Sequence, residues 1–157
     1  MEEYYCLGPV GFIFVLGGAY IGFRVIKAWK LFRSSENWVP IVGLVTKSEV
    51  EYLASTGADD SDTYTPIITY TYQLMGNSYE GNRIEFGSEG VRFGKRKKAE
   101  VVIARHPLGS QPTVYYDPED PAQSVLERKW NSTNTILFLI LELIGAVLIY
   151  LDFQYWN

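Results

Sequence analysis

The sequence predicts a membrane protein of the α+β class, in which two transmembrane helices flank a small β-rich domain. Three observations predict it. Two apolar stretches, 7–23 and 130–151, hold one charge between them, Glu142. All fourteen Lys and Arg residues lie from Arg24 to Lys129, so both flanks lack them. Between the flanks, β-branched and aromatic residues recur in short runs, several with period two, which marks half-buried strands. The expected organisation is a helix with a basic exit over 1–33, a soluble domain over 34–129 and a second helix over 130–157. The domain is expected to hold about five strands, partly antiparallel, and one short helix.

The first helix is expected from Gly8 to Trp29, because ~20 apolar residues suffice to cross ~30 Å of hydrocarbon. Its exit carries Arg24, Lys27, Lys30 and Arg33. Cations beside a span are retained in the cytoplasm, so both termini are expected outside and residues 34–129 in the cytoplasm. A secretory leader has the opposite order, with basic residues before the apolar run. Here Glu2 and Glu3 precede it, so the helix is expected to be retained. Tyr4, Tyr5, Tyr150, Tyr155 and Trp156 fit an aromatic belt at one interface, and Trp29, Trp38 and Trp130 fit the other. Gly11, Gly18 and Gly22 share one helix face. Such a stripe lets two backbones approach closely, as in GxxxG packing. The seam would meet either the second helix, through Gly145, or another subunit.

In the domain, the run from Trp38 to Val50 is β-rich. Ile68, Tyr70, Tyr72 and Leu74 alternate with Thr69, Thr71 and Gln73, giving a strand with one buried face. Gly76-Asn77 signals a tight turn into a strand over Ser78–Phe86. A short helix is expected from Lys97 to Arg105, ended by His106-Pro107. Thr113–Tyr116 and Ser124–Glu127 read as the last strands, joined through the turn residues Asp117, Pro118, Asp120 and Pro121. Residues 54–65 read as a solvated acidic loop.

The second helix is entered from Arg128 and Lys129. Glu142 falls near its middle. A carboxylate at that depth costs at least ~2–3 kcal/mol and marks a relay or a polar clip to a partner helix. The bland reading is a hydrogen bond to a carbonyl or to Tyr20. A relay needs a second station, and the sequence offers none at that depth, so the packing or partner reading is favoured.

No catalytic, metal or cofactor constellation is predicted. Asp59, Asp60 and Asp62 lack the spacing of a calcium loop. Cys6 is the only cysteine and His106 the only histidine, too few for a metal site. Gly87, Gly90 and Gly94 lack phosphate-loop spacing. The sequon Asn131-Ser132-Thr133 reads as chance at the cytoplasmic mouth of the second helix. A net charge of −4 excludes a nucleic-acid partner by electrostatic footprint. Arg92, Lys95, Arg96, Lys97 and Lys98 form the densest basic cluster. It is either a contact for anionic lipid headgroups or an ordinary solvated face.

The runs Trp38…Gly43-Leu44-Val45, Tyr64-Thr65-Pro66-Ile67-Ile68-Thr69-Tyr70-Thr71-Tyr72…Gly76…Tyr79-Glu80-Gly81 and Val114-Tyr115-Tyr116-Asp117-Pro118…Pro121…Ser124-Val125-Leu126-Glu127 together resemble the domain-of-unknown-function family 3592. The resemblance implies a small β-rich domain carried on one or two membrane helices. It supplies no catalytic residue. The expected function is a non-enzymatic accessory or interaction subunit of a membrane complex. Its partners would be membrane lipids and a larger membrane protein or a second copy of the chain. Two alternatives stand beside it: a membrane-surface lipid- or ligand-sensing module, and an immunity-type protein against a membrane-acting toxin.

Overall fold

The computed structural model describes residues 7–54 and 62–156. Tyr4, Tyr5, Cys6, Asp59 and Asp60 lie outside the described residues, as do the side chains of Tyr155 and Trp156. Helix α1 spans Leu7–Ser34 and is followed by a single 3-10 turn, Ser35–Asn37. Strands β1 (Val39–Leu53), β2 (Thr63–Leu74) and β3 (Asn77–Gly81) come next. Helix α2 covers Arg96–Ile103, strands β4 and β5 cover Thr113–Tyr116 and Ser124–Val125, and helix α3 covers Thr133–Trp156. Two helical segments, Gly8–Asn37 and Thr133–Gln154, are long and apolar enough to cross a membrane.

The five strands form one sheet in the order β3-β2-β1-β4-β5, and every neighbouring pair is antiparallel. β2 buries Ile68, Tyr70 and Tyr72, the face its alternation predicts. The hairpin turn is one residue earlier than Gly76-Asn77. Met75 and Gly76 both have positive φ, and Leu74 pairs with Asn77. That is the two-residue hairpin loop whose twist suits the flanking strands, and glycine bears the second position without strain.

β1 is longer than its composition suggests. It pairs with β2 as far as Leu53↔Thr63, so the loop expected over 54–65 shortens at its far end, where β2 begins at Thr63. A bulge between Val45 and Lys47 inserts Thr46. An extra residue shifts the pleat by one. Accordingly Gly43 and Val45 point inward before the bulge, and Ser48 and Val50 are the half-buried residues after it.

The sheet is curled. The strand expected over Ser78–Phe86 ends at Gly81, because the chain then leaves β2 for a new partner. Leu126 N donates to the Arg83 carbonyl at 3.1 Å, and Glu127 N to that of Ile84 at 2.8 Å. Phe86 then bridges Trp130 in parallel. The chain leaving one edge strand thus pairs with the chain leaving the other. This joins the two ends of the sheet through the segments that follow its edge strands. It also shortens the last strand to Ser124–Val125.

Inside the curl lie Val45, Ile68, Tyr70, Tyr72, Val114, Tyr116 and Leu126, with Val102 and Ile103 of α2 packed against them. Tyr72 stacks between Tyr79 and Tyr116, with centroids at 5.7 and 6.1 Å. Tyr70 is fully buried; its hydroxyl donates to the Arg83 carbonyl at 3.1 Å and meets Ser124 Oγ at the same distance. Burial pushes the Tyr70 phenol up to about 12, against some relief from the Ser124 hydrogen bond. Gly81 makes this closure possible, since a methyl group there would lie 2.5 Å from Ser124 Oγ and 2.6 Å from the Tyr70 ring.

Candidate functional site at the junction of helices and sheet

The helices and the sheet are joined without a free linker. α1 delivers Leu31 and Phe32 to the junction, the 3-10 turn delivers Trp38, and the approach to α3 delivers Trp130. These residues, with Tyr115, pack around Phe86 and Val125, both fully buried. Phe86 lies 5.7 Å from Phe32 and 5.6 Å from Trp38 in edge-on contact, an arrangement the aromatic quadrupole favours. The interfacial belt expected of Trp29, Trp38 and Trp130 is corrected here. Only Trp29 is exposed; Trp38 is 4% exposed and Trp130 is half-buried. A large ring next to a helix end reads alike in either role.

Hydrogen bonds complete this collar. Phe86 N donates to the Lys129 carbonyl and Asn131 N to that of Phe86. Arg128 stacks 4.1 Å above the Tyr115 ring, and its Nη1 donates to the Ser35 carbonyl at 3.2 Å. A cation at a helix C-terminus also complements the helix dipole. Asn134 Nδ2 donates to the carbonyls of Gly87 and Glu89. Asn131 Nδ2 donates to Glu85 Oε1 at 2.6 Å, while its Oδ1 accepts from Thr133 N. The sequon amide is therefore a structural group, engaged on both sides.

Beside the collar, Glu127 gathers the side chains of Arg105, His106 and Lys129. Arg105 Nη1 reaches both its oxygens at 2.8 and 3.0 Å, His106 Nε2 lies at 3.0 Å and Lys129 Nζ at 2.8 Å. Burial works to raise the Glu127 carboxyl, but the hydrogen bonds from Lys129 and His106 and the charge of Arg105 outweigh it. The net shift is downward from the ordinary 4.5. A depressed carboxyl adds stability above its unfolded value, and that contribution is lost as pH falls through the folded value. The domain is expected to lose stability on acidification below about pH 4.5. Glu127→Gln is expected to show a smaller loss over the same window. Equal slopes for both proteins in chemical denaturation would refute the assignment.

The two long helices pack antiparallel through the predicted glycine face. A methyl group at Gly11 would lie 2.8 Å from Ile149 Cγ1 and 3.0 Å from the Gly145 carbonyl oxygen. At Gly22 it would lie 2.8 Å from the Phe138 ring, and at Gly145 2.7 Å from Val15. Gly18 faces Glu142, whose Oε1 would be 2.5 Å from such a methyl. The seam therefore meets the second helix of the same chain. Tyr20 does not reach Glu142: it is 65% exposed and points away from the seam. Among the described residues, Glu142 makes no hydrogen bond or ion pair, so its half-buried carboxyl lies along the Gly18 backbone.

The basic cluster is exposed throughout. Lys95 precedes α2 with extended backbone, and Arg96 Nε pairs with Glu100 Oε1 at 2.9 Å. Phe93 and Val102 lie beneath Lys95, Lys97 and Lys98, next to Val101, which is 59% exposed. Gly90 lines a cleft against α1 with Phe23 and Arg24. Arg92 follows two residues later, so at most ~7 Å of chain separates it from that cleft. Among the described residues, no group of three His, Cys, Asp or Glu side chains converges.

These features define a class: a small α+β protein in which a two-helix hairpin is fused by a packed collar to a curled antiparallel sheet. The chain belongs to the family described as Domain of unknown function (DUF3592), which matches residues 42–131, more than half of its 157 residues. The match takes in most of the sheet, α2 and the collar strand that ends at Asn131. No curated protein matches the sequence.

Proposed function

We propose that this is a non-enzymatic integral membrane protein that acts as an accessory or interaction subunit, with both termini outside and residues 34–129 cytoplasmic. The observation that carries the reading is the collar. It clamps the sheet to both helices at once, so the domain would be held at one height and one orientation on the membrane surface. A fixed platform suits a protein that positions itself against a partner.

The helix surfaces support the membrane placement. Only 17% and 6% of their most apolar windows are buried. Phe12, Ile13, Leu16, Leu143 and Val147 are all largely exposed, and core helices of a water-soluble globule would be covered. The glycine seam is used within the chain, so a partner would be met by the outer helix faces and the domain. Purification of the full chain in mild detergent, after cross-linking in its native membrane, tests this. A reproducible co-purifying membrane protein is expected. A lone monomer with no cross-linked partner overturns the reading.

A second reading, a lipid-sensing module, has separate support. The exposed cluster Arg92–Lys98 starts within a few residues of the helix junction and is mixed with exposed Val101, which suits an anionic membrane surface.

A further inference from the structure

We infer that the cleft between α1, the start of α3 and the loop 83–90 is a binding site for one anionic phospholipid. The inference rests on the membrane placement proposed above and names a ligand that placement does not require. The cleft holds about 540 Å³, within the ~300–1,000 Å³ of small-molecule sites.

Its chemistry is divided. Phe23, Leu31 and Leu137 supply apolar wall, and Arg24, Lys27 and Arg83 supply cations. Arg83 is already engaged, because its Nε pairs with Glu89 Oε1 at 3.2 Å and its Nη1 reaches Gln123. Glu89, the one carboxylate lining the cleft, is thereby balanced. Arg24 and Lys27 make no ion pair or hydrogen bond among the described residues. They lie three positions apart on one helix, so they repel each other on the same face. The cleft thus carries two uncompensated positive charges that a phosphate would balance.

Position selects a lipid over a free phosphate. Arg24 directly follows the uncharged run of α1, at the level where headgroups lie. Phe23 is 67% exposed and Leu137 43% exposed. Their surfaces continue from the cleft onto the bare faces of both helices, where an acyl chain would run. A soluble phosphate would use the cations and leave this wall uncovered. A glycerophospholipid uses both. The loop that closes the cleft is held in shape by Asn134, through the Gly87 and Glu89 carbonyls.

The test is native mass spectrometry of the full chain, released from detergent micelles doped equally with phosphatidylglycerol and phosphatidylcholine. The wild-type chain is expected to retain phosphatidylglycerol preferentially. The double variant Arg24→Gln/Lys27→Gln should lose that preference by about thirtyfold, the share of two cations near a headgroup. The charge-preserving pair Arg24→Lys/Lys27→Arg should keep it, as should Lys95→Gln/Lys97→Gln/Lys98→Gln. Excess glycerol phosphate should not displace the lipid. Equal retention of the two lipids overturns the inference. So does an unchanged preference in Arg24→Gln/Lys27→Gln, loss only in the lysine-cluster variant, or displacement by glycerol phosphate. A full chain that remains in the supernatant without detergent would refute the membrane placement instead, which separates the two failures.

Discussion

Phe86→Ala is expected to lower stability by ~3–5 kcal/mol, the usual cost of emptying a buried aromatic site. The ring has no exposed surface and touches Phe32 and Trp38, which belong to different elements. Neither neighbour can collapse into the space freely, since one is fixed on α1 and the other sits between the 3-10 turn and β1. The loss should also loosen the domain from the helices while the inner tyrosine stack stays packed. Denaturant unfolding in detergent, followed by tryptophan fluorescence, reads both effects, because Trp38 and Trp130 border the site. Leu108→Ala is the control, since Leu108 is 68% exposed. A Phe86→Ala cost below ~1 kcal/mol, within the range of ordinary surface changes, would mean that the collar does not hold the domain.

Gly11→Leu is the second large effect. A side chain there meets Ile149 and, more seriously, the Gly145 carbonyl oxygen. A side chain can move aside but a backbone oxygen moves only with its helix, so the hairpin must open. Overpacking usually costs ~1–3 kcal/mol, and a backbone obstacle puts this change at the upper end. Gly17→Leu is the matched control, because nothing lies within 4 Å of a methyl group at Gly17. Spin labels at Leu16→Cys and Ala146→Cys, on a Cys6→Ser background, report the helix separation. Gly11→Leu should lengthen and broaden the distance, and Gly17→Leu should leave it alone. Identical distributions for the two variants would show that the glycine face does not set helix approach.

Much of this architecture is legible in the residues, for identifiable reasons. Ile68, Tyr70 and Tyr72 alternate cleanly because β2 runs unbroken with one face to the core. Thr113–Tyr116 is read to its exact ends because turn residues bound it. The glycine face of α1 follows from helical spacing alone. By contrast, β1 shows no clean alternation, because the bulge at Thr46 reverses its parity midway. The segment after Gly81 reads as more strand because its true partner, 126–131, lies about forty residues further on, beyond the reach of local pattern.

The collar and the Glu127 cluster are invisible for the same reason. Arg105, His106 and Lys129 are unremarkable one at a time, and only the curl of the sheet brings them to one carboxylate. Arg128 and Lys129 read as a basic flank of the second helix, yet both also hold the junction together. Tyr70 and Tyr72 are buried as their alternation suggests, and Tyr116 joins them because the curl brings β4 over the same core.

The chain enters the domain at Trp38 and leaves it at Trp130, and both rings pack in one cluster. The intervening segment is therefore a closed loop, fastened at its base by the paired helices. A fastening of this kind restricts the denatured chain much as a covalent cross-link does, by removing conformations that separate the two ends. Part of the domain's resistance to unfolding then belongs to the bilayer-sized hairpin beneath it. The sheet excised from its helices would be a floppier object than its own well-filled interior suggests.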